Sequence, residues 1–138
     1  MPPYQYTPLK GRNVIRVLKM EPSPDKDARL RASFQPVPLA ESPDFEALSY
    51  VWGEASFGGT VEIDGADLVV PSANLDAALR QFRYPDRPRL IWADAICINQ
   101  SDIPERNSQV LIMAEIYRRA RTTLGWLGRG GEAEEKAL

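Results

Sequence analysis

"RLIWADAICINQSDIPERNSQV", residues 89–110, decides how this chain reads. A run from Leu90 to Ile98 is apolar except for Asp94. It then gives way to Asn99, Gln100, Asp102, Glu105, Arg106, Asn107 and Gln109. An apolar run of that length suits a strand buried on both faces, as strands of parallel sheets are. The polar residues behind it either cap a helix or form the floor of a site at the strand's carboxyl end. Asp102 and Glu105 have the spacing of a capping box, the aspartate at the N-cap and the glutamate reaching back from N3. A helix is therefore predicted over 101–123, with Val110, Met113, Ala114, Tyr117 and Ala120 as its core-facing stripe.

Working outward, "TTLGWLG" (122–128) reads as the next core strand, and "FEALSYVWG" (45–53) as an earlier one. Between them, "TVEIDGADLVV" (60–70) places Asp64-Gly65 between two β-prone runs, a hairpin signal. "PSANLDAALRQF" (71–82) switches to helical spacing, with Ser72 as N-cap and Leu75, Ala78, Leu79 and Phe82 on one face. Ahead of these, "NVIRVLKM" (13–20) and "RLRASFQPV" (29–37) alternate as a hairpin would. Helices alternating with buried strands imply right-handed crossovers and a parallel sheet, whose ligands gather at the carboxyl ends of the strands. Those ends are Tyr50, Trp52 and Gly53, then Asp94 to Gln100, then Trp126 to Gly128.

Composition narrows the chemistry. The chain has 138 residues, 26% of them charged, and a net charge of −2, which gives no basis for binding nucleic acid through bulk charge. There is one cysteine, Cys97, so neither an internal disulfide nor a Cys-based zinc site can form, and no metal is expected. The opening "MPPYQYTPLKGR" carries no signal-peptide core, and no apolar run approaches the roughly 20 residues of a membrane span. A cytoplasmic domain without a membrane role is expected. Histidine is absent, which removes Ser-His-Asp and Cys-His catalysis as usually built. Any acid–base work falls to Asp, Glu, Lys or Tyr.

Three segments, "FEALSYVWG", "LIWADAICINQSDIPERNSQVLIMAEIYRRA" and "TTLGWLG", resemble the fungal heterokaryon incompatibility (HET) domain, as does the lead-in "YTPL…IRVLKM". Ala93 departs from the isoleucine or valine more usual in that family. The resemblance implies fungal non-self recognition, with the domain triggering regulated cell death. HET domains are in turn similar to Toll/interleukin-1 receptor (TIR) domains, flavodoxin-like folds of which some cleave NAD at the nicotinamide bond. The implied fold is α/β: a TIR-like parallel sheet core with helices on both faces, plus an N-terminal β-hairpin and an inserted β-hairpin. The implied division is a β-rich lead-in, 1–43, packed on a core, 44–138, that is cut short at its carboxyl terminus.

By that resemblance Glu105 is the candidate catalytic residue, placed to engage the ribose of NAD and stabilise an oxocarbenium-like transition state. Nicotinamide leaves as a neutral group, so no strong acid is required. NAD enters as substrate; no cofactor is required. Tyr50, Trp52, Gly53, Asp94, Asn99 and Gln100 are the accompanying candidates for nucleotide binding. Each has a plainer reading. Glu105 completes a capping box; Asp94 hydrogen-bonds a partner such as Arg106 or Arg119; Asn99 and Gln100 make a turn; Trp52 packs in the core beside a glycine turn. Trp92 and Trp126 read as core, Cys97 as a small buried hydrophobe, and Arg80, Arg83, Arg87 and Arg89 as solvated surface. The alternative function is non-catalytic: a module that self-associates or recruits a cell-death partner.

Overall fold

The computed structural model describes residues 1–51, 58–127 and the backbone of 133–137. The strands are β1 (Val14–Met20), β2 (Leu30–Pro38), β3 (Glu46–Tyr50), β4 (Thr60–Ile63), β5 (Ala66–Val69), β6 (Arg89–Trp92), β7 (Thr122–Trp126) and β8 (Ala133–Ala137). The helices are α1 (Ala73–Phe82), α2 (Asp94–Cys97), α3 (Ile103–Leu111) and α4 (Met113–Arg119). The candidates Trp52 and Gly53 lie outside the described residues. No helix among the described residues is long and apolar enough to cross a membrane.

All eight strands join one sheet, in the order β5-β4-β2-β1-β6-β3-β7-β8. It is mixed. β3 pairs parallel with β6 and β7, and β2 with β4, while β1 runs antiparallel to both β2 and β6. The N-terminal hairpin joins this sheet, with β1 between β2 and β6. The reason is composition: Val14, Ile15, Val17, Leu18 and Met20 are all buried, so both faces of this strand need cover. The inserted hairpin β4–β5 turns at Asp64 and Gly65 with φ of 51° and 75°, the doubly positive geometry of a type I′ turn. The outer edge of β5 is covered in part by the chain's start, where the Tyr4 amide donates to the Asp67 carbonyl and the Asp67 amide to that of Pro2.

Helix α1 follows its pattern. Ser72 Oγ accepts from the Leu75 amide at 3.0 Å, and Leu75, Ala78, Leu79 and Phe82 are buried. Two expectations fail further along. The strand predicted over 90–98 stops at Trp92, and Asp94–Cys97 form one helical turn, with the Cys97 amide donating to the Ala93 carbonyl at 2.8 Å. The single helix predicted over 101–123 is two helices broken at Ile112 (φ −106°, ψ 7°). Its expected apolar stripe is off phase: Val110 and Ala114 are exposed, Gln109 is the only residue of α3 that is buried, and Ile116 is the buried residue of α4. Polar contacts set that phase. Glu105 and Gln109, four apart, share the inward face, and both bond to the β1 region.

The core runs through the whole sheet. Trp92, Phe45, Ile15, Leu18, Leu48 and Ile91 are among its largest fully buried side chains. Trp126 also packs inside it, and Cys97 is fully buried, its thiol pushed up to about 12 by burial. Of the arginines expected at a solvated surface, Arg87 is exposed and Arg80 half-buried, but Arg83 and Arg89 are not. Arg83 is buried and donates to the carbonyls of Asp25, Ala28 and Arg29; Arg89 is buried against Glu46.

Candidate functional site

The carboxyl ends of β6, β3 and β7 carry the candidates. Tyr50 ends β3 and is half-buried; Asp94 follows β6 and is half-buried. Burial raises the proton affinity of the Tyr50 phenol, and the Asp94 charge raises it further. The same two causes push Tyr117, on α4, up to about 12. Asp94 itself is raised by burial, against the opposing pull of hydrogen bonds from the backbone amides of Ala95 and of Asp94. No ion pair joins it to Arg106 or Arg119 among the described residues; Arg119 pairs with Glu115 at 2.7 Å. A carboxylate without a cationic partner in a half-buried place binds its proton more tightly, because the charged form is poorly solvated.

On the same edge Tyr117 stacks edge-on against Trp92, their centroids 5.6 Å apart, and its hydroxyl donates to the Leu48 carbonyl at 3.4 Å. Asn74, in the first turn of α1, ties two strand ends together. Its amide nitrogen donates to the Val51 carbonyl, and its oxygen accepts from Trp126 Nε1 at 3.0 Å.

Glu105 has a different setting. Arg16, buried within β1, meets it with both guanidinium nitrogens, Nη1 to Oε2 and Nη2 to Oε1, each at 3.0 Å. The Asn99 amide donates to Oε2 at 2.6 Å. Glu105 therefore does not close the capping box. Asp102 accepts from the Glu105 amide at 3.1 Å as an N-cap should, but the Asp102 amide turns to the Asn99 carbonyl. Arg16 has its own anchors: it donates to the carbonyls of Cys97 (2.8 Å) and Thr7 (3.0 Å) and lies over the Tyr6 ring at 4.8 Å. Tyr6 in turn donates to the Ile96 carbonyl at 2.7 Å. The polar loop is thus fastened to β1 and to the chain's start.

Asn99 and Gln100 line a cavity of about 480 Å³ together with Tyr4, Tyr6 and Asp67. Their side chains also hold the loop: Asn99 Oδ1 accepts from the Ser101 amide, and Gln100 Nε2 donates to the Asp94 carbonyl. Glu105 lines a separate cavity of about 450 Å³, with Gln109 and residues of the 8–14 loop. The structure thus brings Asp94 to Tyr50 and the Asn99 backbone to Glu105, but puts the Asn99 and Glu105 side chains on different hollows. Arg16, Tyr6, Tyr117, Asn74 and Gln109 were not among the candidates. Arg16 had a signal: a charged residue inside "NVIRVLKM", a strand too apolar for solvent, requires an acidic partner. Among the described residues no cluster suited to a metal ion is found.

Comparison with known proteins agrees with the segments quoted above. The profile of the heterokaryon incompatibility protein (HET) family matches residues 45–138. Heterokaryon incompatibility protein 6, OR allele, of Neurospora crassa is 32% identical over 126 residues, covering 83% of this chain and 18% of that protein. The chain thus spans less than a fifth of that relative's length. No solved structure matches it. With the family profile covering well over half of its residues, the chain belongs to the heterokaryon incompatibility (HET) family.

Proposed function

We propose that this chain acts in fungal non-self recognition as the module that passes recognition on to regulated cell death, and that it does so in the cytoplasm by docking rather than by catalysis. The observation that carries this reading is the state of Glu105, whose two oxygens are held by a bidentate guanidinium and a backbone amide. Three of the roughly four lone-pair sites of this carboxylate are filled, two of them by a charged donor, which leaves it a weak partner for a ribose. The outward face of the same helix suits association: Ile103, Val110 and Leu111 are 50%, 56% and 86% exposed. Grouped apolar exposure of this kind marks interaction surfaces, and a second copy or a cell-death partner is its proposed occupant. The test is growth of fungal cells expressing the chain or its Leu111→Glu variant, beside sedimentation of both proteins. Growth arrest and association lost together in the variant are expected. Arrest undiminished by Leu111→Glu overturns docking through this face.

The core is proposed to be TIR-like around β6-β3-β7. The chain passes from β3 to β6 on one side and from β6 to β7 on the other. Two right-handed crossovers of that kind put α1 and the α3–α4 pair on opposite faces, as in flavodoxin-like sheets.

A second reading is NAD cleavage at the nicotinamide–ribose bond. It is favoured by the raised proton affinity of Asp94 beside Tyr50 and Tyr117, at the sheet edge where such folds bind ligands. Here Asp94 or Glu105 supplies the carboxylate facing the ribose, with Tyr50, Trp52, Gly53, Asn99 and Gln100 around the nucleotide. Nicotinamide released from NAD by the purified chain, and lost in Asp94→Asn or Glu105→Gln, would replace the docking reading with this one.

A further inference from the structure

Gln109 carries an unmet hydrogen-bonding demand next to a hollow. The residue is 4% exposed, and its Nε2 donates to the Val14 carbonyl at 2.9 Å. That bond fixes which end of the amide is oxygen, since only the nitrogen can donate. Oε1 is buried and has no partner. A buried acceptor without a donor is costly and uncommon in folded chains. Gln109 lines the cavity of about 450 Å³ between α3 and the 8–14 loop, within the range of small-molecule sites. Leu9 and Ile112 give this cavity apolar wall, and Arg12 lines it as an exposed cation that forms no ion pair among the described residues. Two carboxylates line it: Glu105, neutralised by Arg16, and Asp102, whose Oδ1 caps α3.

We propose that this cleft binds a small neutral ligand bearing a carboxamide or lactam group. The ligand's N–H donates to Gln109 Oε1, its carbonyl accepts from Arg12, and its apolar body lies against Leu9 and Ile112. Arg12 and Asp102 give the lining one charge of each sign and so no net pull on an ion, and Oε1 needs a donor; a neutral amide supplies that donor together with an acceptor for Arg12. The site lies apart from the docking face of α3 and from the strand ends, and it shares only Glu105 with the NAD reading above.

The test is a matched pair of probes, the bicyclic lactam 3,4-dihydroquinolin-2-one and its N-methyl derivative, titrated into the full chain. Backbone amide resonances report the position and strength of binding. The N–H lactam is expected to shift signals of residues 8–14 and 104–112, and to bind roughly five- to tenfold more tightly than the N-methyl form, the worth of one hydrogen bond. Gln109→Leu is expected to erase that difference. Ser108→Phe, a change at an exposed lining residue, is expected to abolish binding of both probes by filling the cleft. Equal binding of the two probes, the result if Oε1 stays closed off from the cleft, overturns the proposal. So do shifts confined to other regions, or binding unchanged in Ser108→Phe. If Gln109→Leu does not fold, the probe pair on the unaltered chain and Ser108→Phe decide the matter.

Discussion

The parallel strands β3 and β6 carry a buried or half-buried carboxylate at each end, and the two ends treat it oppositely. At the amino end, Glu46 accepts from Arg89 Nε at 2.8 Å and Nη2 at 3.1 Å, and from the Thr122 hydroxyl at 2.7 Å. Burial alone would raise its pKa, but these bonds and the charges of Arg89 and Arg121 outweigh burial and lower it. At the carboxyl end, Asp94 has only backbone amides to oppose burial, and its pKa is raised. The lesson is that burial does not decide the charge of a carboxylate; the presence of a guanidinium in hydrogen-bond geometry does. One end of the sheet is closed by an ion pair, and the other is left with a group that gains from being neutral.

The comparison breaks most sharply if Glu46 is removed. Glu46→Ala leaves Arg89 buried without its carboxylate, and a loss of about 3–5 kcal/mol in urea unfolding is expected. A loss under 1 kcal/mol would mean the amino end is not held by this pair. Arg16→Met, at the carboxyl side of the sheet, leaves Glu105 with one backbone donor and is expected to cost about 3 kcal/mol. Its coupling to Glu105→Gln in a double-mutant cycle is expected to exceed about 1 kcal/mol; additive effects would show that the two do not act as a pair.

Stability against pH sharpens the contrast without breaking the fold. Glu46 has a folded pKa below its unfolded value, so its contribution is present above the unfolded value of about 4.3 and is lost as pH falls through the folded one. Asp94 has a folded pKa above its unfolded value of about 3.9. Its ionisation therefore destabilises the fold progressively as pH rises between the two. Asp94→Asn keeps an acceptor for the Ala95 amide and removes the charge. The variant is expected to gain about 0.5 kcal/mol over the parent at pH 7 and to lose that advantage near pH 3, the partial exposure of Asp94 keeping the effect small. An advantage constant across pH would assign it to packing. The smallest effect is expected from Leu111→Glu on α3: stability within about 0.5 kcal/mol of the parent, because the side chain is 86% exposed.

Much of this was legible in the residues. Helix α1, its Ser72 cap and the Asp64-Gly65 turn follow from local chemistry that tertiary structure did not override. The break after Trp92 did not follow, since an apolar run cannot by itself distinguish a strand from a strand plus one buried helical turn. The phase of α3 was misread because apolar spacing was assumed to set it. In the folded chain Glu105 and Gln109 set it, through partners at Arg16 and Val14 that lie 89 and 95 residues away in sequence. The candidate site was legible as an edge but not as a geometry. The Asp94 charge reaches Tyr50 there, while Glu105 is turned to a different hollow by a buried arginine whose partner no local pattern names.

The docking of α3 has a thermodynamic consequence. A helix seated by an ion pair and an amide, with its isoleucine, valine and leucine already wet, uncovers little new hydrocarbon when it lifts away. Such an opening has a small heat-capacity increment and so a nearly straight temperature dependence, unlike the curved profile of global unfolding. The pair is buried and so little screened, and how often the segment leaves the sheet is expected to change little with added salt as well.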